Sequence, residues 1–165
     1  MFQHTVQSDS VTIAVPQAFA WQVLLDFERY EQWNPFTFKV KTDLVIGQLV
    51  ELHVHLPKRG RCVQKEYLKH LQAPEQIAWG MHILAPQLLK ARRTQYLTKL
   101  NHNQCQYRTD DALQGLLTPL VKALYGESMR QGFNQMAHAL KLRAETLWQQ
   151  QQEKQHESGT AYSTP

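Results

Sequence analysis

A chain of 165 residues with 42% hydrophobic and 19% charged side chains suffices for one domain with its own core. A net charge of +4, with no recognisable nucleic-acid motif, gives no ground for a specific nucleic acid partner. No apolar run is long enough to span a bilayer, the start Met1-Phe2-Gln3-His4-Thr5 lacks a secretory signal pattern, and Cys62 and Cys105 alone make neither a disulfide framework nor a zinc spacing. The expectation is a cytoplasmic protein with reduced thiols and no membrane insertion. The basic clusters Lys58-Arg59-Gly60-Arg61 and Lys90-Ala91-Arg92-Arg93 read as a solvated loop and a solvated strand face.

In chain order, Val11 to Val15 alternates like a half-buried strand, and Pro16 leads into a short helix over Ala18 to Leu25, with Phe19, Val23 and Phe27 as its buried stripe. A second short helical segment spans Phe27 to Trp33 and is stopped by Asn34-Pro35. Phe38 to Thr42, Gln48 to Leu56, Arg61 to Leu71, Gln76 to Ile83, Leu89 to Leu100 and Cys105 to Leu113 read as strands separated by turn-forming stretches. The inner faces carry Val50, Leu52, Val54 and Leu56; Ile77, Trp79, Met81 and Ile83; Thr94, Tyr96, Thr98 and Leu100; and Cys105, Tyr107, Thr109, Asp111 and Leu113. Thr118-Pro119, a capping hydroxyl followed by proline, opens a long helix to about Trp148. Its apolar stripe is Leu120, Leu124, Phe133, Met136, Leu140, Ala144 and Leu147; Gly126 and Gly132 interrupt it and either bend the helix or, at Gly132, make room for a ligand or a close strand. The domain is expected over 1–148, followed by a polar, disordered tail over 149–165.

This pattern predicts an α+β fold: a curved antiparallel sheet of about seven strands, wrapped around one long C-terminal helix, with two short helices after the first strand. Several strings carry a resemblance: Val15-Pro16 leading into Trp21-Gln22-Val23-Leu24-Leu25-Asp26-Phe27, then Tyr30-Glu31-Gln32-Trp33-Asn34-Pro35-Phe36, Ile77-Ala78-Trp79, Asp111-Ala112-Leu113-Gln114-Gly115, and Phe133-Asn134-Gln135-Met136. On these the chain resembles, over roughly residues 5 to 147, the START-related polyketide cyclase/dehydrase family of the SRPBCC superfamily. The resemblance implies the helix-grip fold and a hydrophobic-ligand cavity between sheet and helix. At the acidic position of the family pattern stands Asp111, with Leu113 in place of an aromatic; Arg93 and Thr94 stand where relatives often carry glycine and histidine.

The candidate ligand-binding residues are Trp33, Phe36, Trp79, Met81, Tyr96, Tyr107, Asp111, Met129, Phe133 and Met136, a set of aromatic and adaptable Met side chains suited to a small hydrophobic ligand or, equally, to a filled core. Trp33-Asn34-Pro35-Phe36 reads either as a guard at the cavity mouth or as a cap on the core. Asp111 is an acid or base, or binds a ligand hydroxyl, in an apolar site; or else it is the ion-pair partner of Arg92 or Arg93 or is simply exposed at the strand end. His53 and His55 have chelating spacing but face away from the apolar side, and neither a metal site nor a cofactor is expected.

The leading reading is binding of a lipid or polyketide-like ligand. The alternative is a cyclase or dehydratase in the same cavity, with Asp111, Tyr96 and Tyr107 as acid–base candidates. A third class is a protein-interaction module using the polar tail and the basic clusters, its partner unknown.

Overall fold

The computed structural model describes residues 1–160. Strands β1 (Gln3–Gln7) and β2 (Val11–Ile13) precede helices α1 (Gln17–Leu25) and α2 (Tyr30–Trp33), which are joined by a tighter helical turn at Phe27–Arg29. Six strands follow: β3 (Thr37–Lys41), β4 (Leu49–Leu56), β5 (Gly60–Gln72), β6 (Gln76–Ile83), β7 (Leu89–Lys99) and β8 (Cys105–Gln114). Helix α3 (Thr118–Thr160) closes the order.

All strands form one antiparallel sheet of eight, in the order β1-β8-β7-β6-β5-β4-β3, with β2 also on β8. Hairpin connections leave no alternative to antiparallel pairing from β3 to β8. Breaks in register between Thr37 and Lys39 and between Leu68 and His70 add local twist and help the sheet curl. Apolar side chains at alternate positions of β4, β6 and β8 face inward, where α3 covers them.

Helix α3 is tied to the β2 edge by polar contacts. Lys141 Nζ donates to the Thr12 carbonyl at 2.8 Å, and the Ala14 and Asp9 backbone N–H groups donate to Glu145 Oε1 and Asn134 Oδ1 at 2.8 and 2.7 Å. Its buried stripe is Phe133, Met136, Ala137, Leu140 and Ala144. Leu120 and Leu124, expected in that stripe, are 55% and 45% exposed, because the inward face of the first turns of α3 is carried by Val121, Tyr125 and Met129 instead.

Three other differences from the sequence reading have physical causes. Strand β1 escapes the pattern because Gln3-His4-Thr5-Val6-Gln7 turns only Val6 fully inward. Helix α3 continues to Thr160 rather than ending near Trp148: its Gln, Glu and Lys residues are good helix formers without an apolar stripe. Residues 161–165 of the expected tail lie outside the described residues. The Thr118 hydroxyl is buried without a hydrogen-bond partner, so it does not cap α3. Among the described residues no helix is long and apolar enough to cross a membrane.

Candidate functional site

Between α3 and the inner face of the sheet lies a cavity of about 320 Å³. Strand register sets its depth. Ile83 pairs with Leu89 at the outer end, Met81 with Ala91 in the middle, and Trp79 with Arg93 at the bottom. Across β7 and β8, Ala91 faces Leu113 and Arg93 faces Asp111. Strand β5 contributes Cys62, Gln64 and Glu66, β4 contributes Leu56, and α3 contributes Val121, Tyr125, Met129 and Phe133. Cys62, Ile83 and Tyr125 are solvent-accessible and mark the open end. There Arg59 lies over the Tyr125 ring at 4.5 Å.

Phe36 forms a side wall. Asn34 Oδ1 accepts from the Phe36 and Thr37 backbone N–H groups at 3.1 and 2.9 Å, which fixes the bend after α2. The Phe36 ring then meets Phe133 edge-on at 5.4 Å and fills the space above Gly132, which therefore accommodates a side chain from the α2–β3 corner.

Arg93 is the floor. It is 4% exposed, which corrects its reading as part of a solvated cluster. Its guanidinium lies over Phe133 at 4.6 Å and Phe36 at 5.0 Å, with Trp79 at 6.0 Å. It donates to Thr109 Oγ1 at 3.3 Å, Thr37 Oγ1 at 3.4 Å and Met136 Sδ at 3.1 Å. Aromatic faces and neutral acceptors hold this cation; no carboxylate lies within ion-pair distance of it among the described residues.

Two carboxyls face the same space. Glu66 is 6% exposed and its Oε2 has no hydrogen-bond partner; neither does the buried Oδ1 of Asp111. Burial, reinforced by the nearby Asp111 and opposed by Arg93, pushes the Glu66 carboxyl up to about 8. Burial also raises Asp111, to about 6, with Arg93 pulling the other way. Near neutral pH the pair therefore holds one proton, mainly on Glu66.

Of the residues expected to bind ligand, Phe36, Met81, Asp111, Met129 and Phe133 line the cavity. Trp79, level with Arg93 in the strand register, and Tyr107 and Met136 are buried but line no part of it. Tyr107 is fully enclosed and donates to Gln95 Oε1 at 2.8 Å, and burial pushes its hydroxyl up to about 12. Trp33 packs edge-on against Tyr30 at 4.9 Å, away from the cavity. Tyr96 sits on the opposite face of β7 under the Arg108 guanidinium at 4.7 Å. Its placement inside was a parity error: Leu89, Ala91, Leu97 and the polar Arg93 and Gln95 take the inner positions of β7. Glu66, unnoticed in the sequence, shares the parity of the buried Leu68 on β5. On the outer face Lys41 Nζ and then His53 Nε2, each 2.8 Å from Glu51 Oε1, hold the Glu51 carboxyl down at about 2.

No sequence-family profile matches this chain, and no curated protein sequence is similar to it. Solved structures do match. A START superfamily protein from Mycobacterium smegmatis superposes over 87% of this chain and 99% of its own, with a TM-score of 0.63 at 22% identity. The Zhui aromatase/cyclase from Streptomyces sp. R1128 covers 87% of this chain and 94% of its own, at 0.61 and 20%. This chain has the helix-grip fold. Norcoclaurine synthase from Thalictrum flavum, solved with dopamine and hydroxybenzaldehyde, matches over 85% of each chain at 0.63 and 12% identity. The helix-grip architecture thus carries different chemistries, and function has to be argued from this chain's own site.

Proposed function

We propose that this protein binds a small hydrophobic or amphipathic ligand, lipid or polyketide-like, in the cavity between the sheet and α3. The carrying observation is the cavity: about 320 Å³, far more than one water needs, walled mostly by Phe36, Leu56, Met81, Ala91, Leu113, Met129 and Phe133. A cytoplasmic setting fits its two free cysteines. Mass spectrometry of organic extracts from gently purified protein, together with titration of a neutral apolar fluorophore, tests the reading. Ala91→Phe, which puts a ring into the middle of the cavity, is expected to abolish fluorophore binding while the fold persists by circular dichroism. Absence of binding by the native chain, or binding that Ala91→Phe leaves unchanged, overturns it.

Asp111 and Glu66 favour a second reading, an enzyme of the cyclase or dehydratase kind. Two cavity carboxyls of unequal acidity supply a proton donor and an acceptor close to a bound substrate. The Tyr96 and Tyr107 hydroxyls do not reach the cavity, so the acid–base work falls to the carboxyls. Turnover of an apolar polyketone that survives both Glu66→Gln and Asp111→Asn excludes this reading.

A further inference from the structure

We propose that the inner end of the cavity recognises a protonated amine, so that the preferred ligand is a small apolar molecule bearing one ammonium group seated against Glu66 and Asp111. The proposal rests on the cavity being a ligand site, as argued above, and goes beyond it by assigning the chemistry of the ligand's polar end.

The argument begins with an imbalance of charge. The lining holds two carboxyls, Glu66 and Asp111, and one cation, Arg93. That cation is committed elsewhere, to the Phe133 and Phe36 rings, two threonine hydroxyls and the Met136 sulfur. Glu66 Oε2 and Asp111 Oδ1 are left buried and unpartnered, facing a space whose other walls are largely apolar. Such a site has surplus acceptors and, with both acids ionised, one surplus negative charge. An ammonium group supplies three N–H donors and the balancing charge, and charge-assisted hydrogen bonds of this kind are the strong ones. An alcohol supplies one donor and no charge. Met81, Leu113 and Met129 provide contact for the apolar body.

Without a ligand the surplus charge is held in check by a proton on Glu66. Other groups bear on that carboxyl: Asp111 on β8, with Asp110 behind it, and Arg93 on β7. Cys62 on β5 and Tyr125 on α3 complete the titratable lining, towards the mouth. When an ammonium enters, the Glu66 O–H bond breaks, its proton passes to solvent, and the carboxylate pairs with the ligand. Binding near neutral pH is therefore coupled to release of about one proton.

Isothermal titration of the full chain with heptylamine, heptan-1-ol and heptane, at neutral pH in two buffers of different ionisation enthalpy, separates the possibilities. The expected result is heptylamine tighter than heptanol by about ten-fold or more, with proton release seen for the amine alone. Glu66→Gln is expected to remove the proton release and to bring heptylamine and heptanol, both measured on that variant, to within about three-fold of each other. Asp111→Asn offers an independent variant if Glu66→Gln does not fold, and is expected to weaken the amine selectively. Heptanol or heptane binding as tightly as the amine, or amine binding without proton release, overturns the amine assignment and leaves apolar binding standing. Failure of all three compounds to bind overturns both.

Discussion

The Phe36 ring occupies the space that a side chain at Gly132 would need: a Cβ built there overlaps the ring edge. This one contact joins the α2–β3 corner to the middle of α3 and sets a side wall of the cavity. Gly132→Val is expected to displace Phe36 and to cost about 1–3 kcal/mol, the usual range for overpacking. Urea denaturation reads the stability, and apolar fluorophore titration reads the change in cavity shape. An unchanged midpoint would show that the ring moves freely and is no wall.

Stability should depend on pH in a definite direction. Folded Glu66 keeps its proton up to about 8, against an ordinary value of 4.5, so across that window the folded chain holds a proton that the unfolded chain has lost. Stability therefore falls as pH rises through the window, by at most about 1.4 kcal/mol per pH unit from this group. Asp111 adds the same tendency between 3.8 and about 6. Glu51 acts oppositely at the acid end, since its contribution is lost as pH falls below its ordinary value of 4.5 towards about 2. Glu66→Gln is expected to flatten the decline between pH 6 and 8, checked by urea midpoints across that range.

Replacing Arg93 by Met removes the only cation among the described cavity-lining residues, while retaining a long apolar stem. Asp111 then loses the group that restrains its rise, and its midpoint should move above about 6. Carboxyl-carbon NMR titration measures the change. A midpoint that stays in place would mean that Arg93 and Asp111 do not interact.

Tyr107→Phe deletes the hydroxyl that bonds Gln95 beneath the Arg93 layer. The expected cost is about 1–3 kcal/mol, because Gln95 is left with an unmet buried acceptor. Ligand affinity should be unchanged, since Tyr107 lines no part of the cavity. A large loss of affinity with little loss of stability would place Tyr107 in the site after all.

The regular alternation of β4, β6 and β8 made those strands and their inner faces legible in the sequence, and the length of α3 identified the element that covers them. Strand β7 misled because polar side chains occupy both of its faces. Thr94, Tyr96 and Thr98 look like a buried set beside Arg93 and Gln95, although Leu89, Ala91 and Leu97 share the parity of the latter pair. Half of the expected binding residues line the cavity, because aromatic and Met side chains on inner faces serve as wall and as filling alike. What separates the two is distance along the strand from the Arg93 layer, a property of register between strands rather than of any one segment.

The Arg93 layer divides the interior into two regions with different obligations. Below it, Ile77, Leu97, Tyr107 and Leu140 interlock as a foundation that secures the fold whether or not a guest is present. Above it, the side chains answer to the shape and charge of what they enclose. Substitutions in the upper chamber can thus retune selectivity at small cost to folding, and occupancy should slow amide exchange mainly in the outer halves of β6 and β7 while the foundation exchanges as before.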